Sequence, residues 1–455
     1  MSNGTHLVII GGGPAGNSAA TWAARFGAQV TLVEREIVGG AAHLLDCIPS
    51  KAMIATGGAM SATKRFAGMG IEQHDVEIDV DSIAERISGI VGRIQSTTTE
   101  LLQSQGVTIL RGEARFVSDR EVVVTTAEGE ARIEGDAFLV ATGSRPRIPT
   151  WCSPDGERIL TTRDCYPPKV FPKSIVVVGS GVTGVEFVHM FSSFGSEVSL
   201  VVSRQQVLPG KDAEAAAALE DRFLARGVKL LKGARAQSIE REGDEVVVRC
   251  DDGRVARGTH AVLAIGSDAN VEGIGLDDAG VKLDERGYIG VDAYCRTNVP
   301  HIYAAGDVSG KLPLSSVASM QGRKIAEHVM GMLRADHRVL DYDKAASAIF
   351  TQPEIADVGL AEAEAFSSGR KIRVTKVPFS STPKALIHND PHGFVKLISD
   401  PNTGVVLGGT IVGRHAGELI SVVALAVTAN LKVSDILESL LVHPSLAEAL
   451  TEAAE

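Results

Sequence analysis

The sequence predicts an α/β protein with two Rossmann-like dinucleotide-binding domains followed by a C-terminal α+β domain. Three observations predict it. A short apolar run, His6 to Ile10, leads into Gly11-Gly12-Gly13-Pro14-Ala15-Gly16 and then an alanine-rich segment. The arrangement returns at Ser174 to Val178, followed by Gly179-Ser180-Gly181-Val182-Thr183-Gly184. From about Tyr342 these glycine signals stop, while strand-like and helix-like segments continue. Strand, glycine turn, helix and strand in succession is the pattern of a parallel sheet covered by helices.

Composition narrows the class. A chain of 455 residues corresponds to about three domains. With 48 glycines and only 4% aromatic residues, it suits many tight strand-to-helix turns. A net charge of -11 argues against nucleic acid or an acidic membrane surface as a partner. Cys47, Cys152, Cys165, Cys250 and Cys295 are dispersed without metal-ligand spacing, which fits a reducing compartment. No basic stretch precedes an apolar run at the start, and Leu419 to Leu431 is too short and too polar to span a bilayer. The expectation is a cytoplasmic protein without membrane insertion or bound metal.

In the first repeat, His6 to Ile10 reads as a buried strand, Ser18 to Phe26 as a helix and Gln29 to Val33 as the next strand, closed by Glu34. Gly11 permits the tight turn, Gly13 lets backbone approach a pyrophosphate, and Gly16 lets helix and strand pack closely. The phosphates sit on the helix N-terminus, and Glu34 accepts from a ribose diol. Pro49 reads as the first residue of a helix continued by Ser50 to Ala59. Cys47 then lies just before a helix N-terminus, one turn from Lys51, and both features favour the thiolate. Ser82-Ile83-Ala84-Glu85 has capping-box form, and Ile83, Ile87, Ile90, Val91 and Ile94 recur at helical spacing, as scaffold or subunit contact. Residues 107 to 135 read as short strands and hairpins.

The second repeat continues with a helix to Phe194 and the strand Glu197 to Val202. The position that holds Glu34 in the first copy holds Val202 in the second, followed by Ser203 and Arg204. Loss of the acid removes repulsion of a 2′-phosphate, and an arginine can pair with it, so NADPH is expected as a donor beside NADH. Residues 235 to 264 read as hairpin strands, with Gly266 ending the last. The C-terminal third reads as strands Arg373 to Pro378, Gly393 to Ser399 and Val405 to Val412. Helices follow at Gly417 to Ala429 and Val433 to Leu440, then His443-Pro444-Ser445-Leu446-Ala447-Glu448.

Over essentially its whole length the chain resembles the flavoprotein disulfide reductases, such as dihydrolipoamide dehydrogenase and glutathione reductase. The segments that carry the resemblance are the first glycine motif, Gly39-Gly40-Ala41-Ala42-His43-Leu44-Leu45-Asp46-Cys47-Ile48-Pro49-Ser50-Lys51, Ala141-Thr142-Gly143, the second glycine motif, Thr297 to Asp307 and the His443-Pro444 tail. The resemblance implies FAD in a domain split in sequence, residues 1–150 and 271–340, an NAD(P) domain at 151–270 and a dimerisation domain at 341–455. It implies an FAD site with Gly11, Gly13, Pro14, Ala15, Gly16, Glu34, Arg35, Gly40, Ala41, Lys51, Ala114, Thr142, Gly143 and Asp307, the last on the ribityl chain. The NAD(P) site takes Gly179, Gly181, Gly184, Ser203, Arg204 and Gly266. It further implies that Glu186 pairs with Lys51 beside the flavin. His443, oriented by Glu448, acts as acid/base across a homodimer whose active site needs both chains.

The chain departs from that family at Ala42. The matching position carries the cysteine that attacks a disulfide substrate, and Cys47 matches the one that contacts the flavin. The resemblance is closest to the NAD(P)H:quinone reductase branch, which lacks the first cysteine. The expected function is two-electron transfer from NAD(P)H through FAD to a quinone-like acceptor in the space left by Ala41 and Ala42. His443 supplies a proton, and Cys47 is a flavin neighbour. Three alternatives stand beside it: a soluble pyridine nucleotide transhydrogenase, a one-cysteine peroxidase or oxidase cycling through a sulfenic acid, and a non-catalytic, redox-sensing flavin-binding protein.

Overall fold

The computed structural model describes residues 4–63, 69–72, 76–332 and 339–455. The chain forms two compact units. The first comprises Met1–Ser50, Ala84–Pro146 and Ser267–Tyr342, and the second Lys51–Ile83, Arg147–Gly266 and Asp343–Glu455.

The first unit is built on a five-stranded parallel sheet in the order Ile302–Ala304, Ala137–Val140, His6–Ile10, Gln29–Glu34, Thr108–Arg111. The chain enters at the central strand, fills one side, and returns to fill the other. The strand order therefore reverses beside His6–Ile10, and the crevice at such a reversal is where open α/β sheets bind ligands. The strands read as unbroken apolar runs because helices and a second layer cover both faces. Leu7 and Ile9 pack on the helix side with Ala19, Ala23 and Ile325. Val8 and Ile10 pack on the other side with Phe116, Phe138 and Val140. Each such buried side chain contributes about 1.5–3 kcal/mol.

The Pro14–Arg25 helix starts four residues earlier than the alanine-rich segment suggested. Pro14 occupies the first turn, where no N–H is required, so the glycine motif itself forms the helix start. Gly322, on the Ser315–Val329 helix, has no room for a Cβ against the Ala15 carbonyl, so the two helices touch backbone to backbone. Among residues 107 to 135, Thr108–Arg111 joins the parallel sheet, whereas Glu113–Ser118, Glu121–Thr126 and Gly129–Glu134 form an antiparallel meander.

The second unit repeats the architecture. Its parallel sheet runs Lys229–Lys232, Glu197–Val202, Ser174–Val178, His260–Leu263, Ile159–Leu160. Not all of residues 235 to 264 are hairpins. Ala236–Glu242, Glu245–Cys250 and Val255–Gly258 form a meander, but His260–Leu263 pairs parallel to Ser174–Val178. Ala261, Val262 and Leu263 suit a strand buried on both faces, and His260 at its start is buried with them.

The C-terminal part of this unit is a five-stranded antiparallel sheet, Ser347–Ile349, Glu354–Gly359, Val406–Gly413, Phe394–Ser399, Arg373–Pro378. The first two strands are short and polar at their ends, and the sequence pattern did not expose them. The helices Ala416–Ala429 and Glu448–Ala454 bury Ile420, Val423, Leu450 and Ala453 against this sheet. The terminal segment is therefore packed rather than frayed.

Two helix starts differ from the sequence expectation. The helix Val80–Ser104 begins before the Ser82 capping box. Asp79 is the cap: Oδ1 accepts the Ser82 amide at 3.1 Å and Oδ2 the Ser82 hydroxyl at 2.7 Å. The aspartate caps more strongly because its charge also meets the helix field, and those bonds hold its carboxyl below its ordinary value. The second difference concerns Cys47 and belongs to the site.

Candidate active site

The stretch that precedes Pro49 is helical. Residues Ala42–Cys47 form a π-helical turn that runs directly into the helix Ile48–Thr63, with the Ile48 amide donating to the His43 carbonyl. Pro49 has no amide to donate, and its ring crowds the carbonyl four residues back. A wider turn just ahead of it relieves that crowding, so the helix passes through the proline instead of starting there. Cys47 is thus inside a helical run, not in front of an N-terminus. The macrodipole argument for a thiolate does not apply to it, since that field fades within the first turn. Cys47 is half-buried, and all five cysteines are thiols rather than disulfides. Ala42 is exposed, and Ala41 half-buried.

His43, which sequence reasoning passed over, follows Ala42 in the same turn. Burial pushes its imidazole below its ordinary value, with the Gly39 carbonyl acting in the opposite sense. Its signal was only its residue type beside the altered position.

In the first unit the nucleotide cradle is complete at the backbone level. Gly11 has φ +108° and stands against the Ala141 carbonyl, where a Cβ has no room. Gly13 and Gly40 approach so closely that a Cβ on Gly40 would fall 2.5 Å from the Gly13 Cα. Glu34 is buried, and three main-chain amides orient it: Gly12 to Oε2 at 2.6 Å, and Glu36 and Ile37 to Oε1 at 2.7 and 3.3 Å. A carboxylate has about four acceptor sites, so one is left for a ribose hydroxyl. Arg35 is exposed, 3.8 Å from Glu113, and Ala114 is buried in the meander beside it. Thr142 Oγ1 donates to the Asn270 carbonyl at 2.7 Å, and Asn270 Nδ2 returns a bond to the Thr142 carbonyl at 2.9 Å. That pair fixes the turn at Gly143, which has φ +70°. Asp307 begins a short helical turn after Gly306, and the Ser144 hydroxyl donates to its Oδ2 at 2.6 Å. Glu34, Thr142 and Asp307 therefore all lie at the ends of strands of one sheet. These positively curved glycine turns and oriented carboxylates fit an adenine dinucleotide such as FAD.

In the second unit Gly179 has φ +111° against the Ala264 carbonyl, and Gly181 caps the helix Val182–Ser193 with an extended backbone. Val202 is buried, while Ser203 and Arg204 at the strand end are exposed. Gly266, with φ +104°, leads out of the sheet, and its carbonyl accepts the Arg147 amide at 3.0 Å.

Lys51 and Glu186 meet within the same unit. Glu186 is buried in a helix among Val185, Phe187 and Val188, which a carboxylate tolerates only with its oxygens occupied. Lys51 Nζ donates to Oε2 at 2.8 Å, and the Phe350 amide donates to Oε1 at 3.0 Å. The Lys51 ammonium also lies 5.1 Å from the Phe350 ring centre, a cation–π distance. Phe350 was invisible to sequence reasoning because its contribution is a backbone amide.

His443 and Glu448 also pair: Nδ1 to Oε1 is 2.6 Å, and the Ser445 amide donates to Oε2 at 2.8 Å. The His443 bond, then the Ser445 bond, hold the Glu448 carboxyl below its ordinary value, so it stays ionised and Nδ1 carries a proton. Nε2 is then the exposed, reactive nitrogen, on a side chain 71% exposed. A half-free imidazole oriented by a carboxylate is equipped for proton transfer. Among the described residues no group of three or more His, Cys, Asp and Glu could hold a metal, and no helix is long and apolar enough to cross a membrane.

Comparison with known proteins agrees with this architecture. The family model described as pyridine nucleotide-disulphide oxidoreductase matches residues 5–322, and that family's dimerisation domain matches residues 345–454. A Mycobacterium tuberculosis protein named NAD(P)H dehydrogenase (quinone) is 40% identical over 99% of this chain and 93% of its own. A Zymomonas mobilis dihydrolipoyl dehydrogenase is 35% identical over 99% of this chain and 97% of its own. The crystal structure of LpdA from Mycobacterium tuberculosis superposes with a TM-score of 0.94 at 39% identity, covering 99% of both chains.

Proposed function

Because the chain belongs to the pyridine nucleotide-disulphide oxidoreductase family, whose members bind FAD and NAD(P)H, we propose that it is an NAD(P)H:quinone oxidoreductase that works without a redox disulfide. The observation that carries this reading is Ala42 in an otherwise intact frame. Disulfide exchange requires an attacking thiol and a resolving thiol. A methyl at position 42 removes the first and leaves space, while the groups that serve the flavin and the proton are retained. When bound, FAD would supply two-electron chemistry between NAD(P)H and the acceptor, the hydride equivalent coming from the nucleotide and the second proton of the hydroquinone from His443.

The residues divide the remaining work. Gly11 makes the turn, Gly13 lets backbone approach the FAD pyrophosphate, and Pro14, Ala15 and Gly16 form the helix start that faces it. Glu34 and Arg35 meet its adenosine end with Ala114, and Gly40, Ala41, Thr142, Gly143 and Asp307 hold the rest. Gly179, Gly181, Gly184 and Gly266 shape the NAD(P)H site, and Ser203 and Arg204 receive a 2′-phosphate. Lys51, fixed by Glu186, supplies positive charge beside the flavin. His443 of one protomer delivers a proton from Nε2 to the forming hydroquinone of the other, and Glu448 holds it in the competent tautomer. Leu440 and Val442, exposed beside His443, support burial of this tail in a homodimer. The 40% identity to a protein named as a quinone dehydrogenase also supports the acceptor class, whereas the dihydrolipoyl dehydrogenases stand at 32–36%.

The test is NADPH oxidation by the FAD-loaded protein with a naphthoquinone, NAD⁺, O₂ and lipoamide in parallel. The reading expects quinone to be the fastest acceptor and lipoamide to be inert. Transhydrogenation faster than quinone reduction replaces it with hydride exchange between nucleotides. Lipoamide turnover contradicts it outright.

A further inference from the structure

The second unit contains a cavity of about 210 Å³ that none of the roles above uses. Its walls carry two guanidinium groups, Arg222 and Arg414, and two carboxylates, Glu354 and Asp390. Arg222 and Arg414 both line it and are both half-buried. Neither has a carboxylate within ion-pairing distance among the described residues, and Arg414 Nε donates only to the His415 ring, at 3.1 Å. Arg414 and Glu354 act on each other electrostatically without forming an ion pair, so among the described residues neither guanidinium has a direct counter-ion, and a bound anion supplies one.

His189 supplies the second, independent observation. It is 2% exposed and lines the same cavity. Arg226 Nη1 stands 3.0 Å from its Nδ1. An arginine can only donate, so Nδ1 is the acceptor and the ring proton is on Nε2. The hydrogen bonds of this ring are all at Nδ1, to Arg226 and Ser193, which leaves the Nε2–H donor for the cavity. Glu354 Oε2 is occupied by the Gly417 amide at 3.1 Å, and burial raises its carboxyl above the ordinary value, with the Gly417 bond and the His415 and Arg414 charges acting in the opposite sense.

We propose that this cavity binds a small multivalent oxyanion, a phosphate or a dicarboxylate, with Arg222 and Arg414 as counter-charges and the His189 Nε2–H as a hydrogen-bond donor. The site lies where an effector has leverage. Ile54 in its wall is one turn from Lys51 on one helix, and His189 is one turn from Glu186 on another. Thr351, also in the wall, follows Phe350, whose amide fixes Glu186. The three segments that hold the Lys51–Glu186 pair are three walls of the cavity.

The experiment is calorimetric titration of the FAD-loaded protein with inorganic phosphate and, separately, with succinate, at ionic strength held constant with potassium chloride. Saturable binding of one probe or both is expected, and the probe that binds identifies the oxyanion class. Arg222→Gln and Arg414→Gln each weaken that binding about tenfold or more, as loss of a charge-assisted contact does. Arg204→Gln leaves it unchanged. Both lining arginines are half-exposed, and if one variant fails to bind FAD the other decides. Absence of saturable binding overturns the proposal. So does binding that survives both lining substitutions, or that disappears with Arg204→Gln, because the anion then sits in a nucleotide site.

Discussion

Position 42 is an alanine, and under the proposed function, in which it stands in place of an attacking thiol, the consequence falls on His443. In a thiol relay the histidine serves a sulfur. In the proposed reaction its proton goes to the acceptor instead, and Glu448 keeps it available. The Glu448 carboxyl is held below its ordinary value by His443 and the Ser445 amide. A depressed carboxyl keeps its contribution above the ordinary value and loses it only as pH falls through the lower, folded value. The pair therefore persists at neutral and mildly acidic pH. Replacing Glu448 by Gln keeps an acceptor for the Ser445 amide but removes the carboxylate that orients the His443 ring. Quinone-dependent kcat is expected to fall about tenfold to a hundredfold, within the range of general acid catalysis, with KM for NADPH unchanged. Steady-state kinetics at saturating quinone check it. A kcat equal to that of the wild type removes Glu448 from the proton path.

At the scale of elements, the strand-turn-helix units were legible and the short or interrupted ones were not. Strands at His6–Ile10, Ala137–Val140, Ser174–Val178 and Glu197–Val202 match their apolar runs because both faces of a parallel sheet are covered, so burial writes the whole segment. Ser347–Ile349 and Glu354–Gly359 escaped because a few residues beside loops carry no period to read. The turn at Cys47 escaped for a different reason. Proline signals a helix start locally, and only the path of the chain decides whether a π turn carries the helix through it. Candidate site side chains were visible where chemistry needs a rare residue type in a fixed motif, as at Lys51, Glu186 and His443. They were hidden where backbone or a distant segment acts, as with the Phe350 amide on Glu186 and Asn270 on Thr142. The proposed acceptance of NADPH also belongs to an element, the end of the strand Glu197–Val202. Arg204→Ser is expected to lower kcat/KM for NADPH about tenfold and leave NADH nearly unchanged, consistent with one charged contact to phosphate. A ratio that does not move places the 2′-phosphate contact elsewhere.

At the scale of the whole molecule, stability carries a pH signature from His189. Burial first, and then the Arg226 charge, push this imidazole down to about 3, against an ordinary value of 6.5. In the unfolded chain the ring takes up a proton as pH falls through 6.5, while the folded ring does not until about 3. Stability is thus fully present above 6.5 and declines between those values as acid is added, by on the order of a few kcal/mol. His189→Gln should flatten that part of the curve of melting temperature against pH, even if it lowers stability at neutral pH. An unchanged slope would mean that the ring titrates alike in both states.

The account as a whole rests on electrons leaving the flavin without passing through sulfur, and Cys47→Ala tests that step most directly. NADPH oxidation with a naphthoquinone is measured for this variant and for the wild type, each with FAD bound to the same occupancy. Turnover within about twofold of the wild type is the predicted result, since a flavin neighbour tunes the cofactor by a fraction of a factor of ten. Loss of about a hundredfold or more at unchanged FAD content would contradict the account and make Cys47 an obligatory redox group.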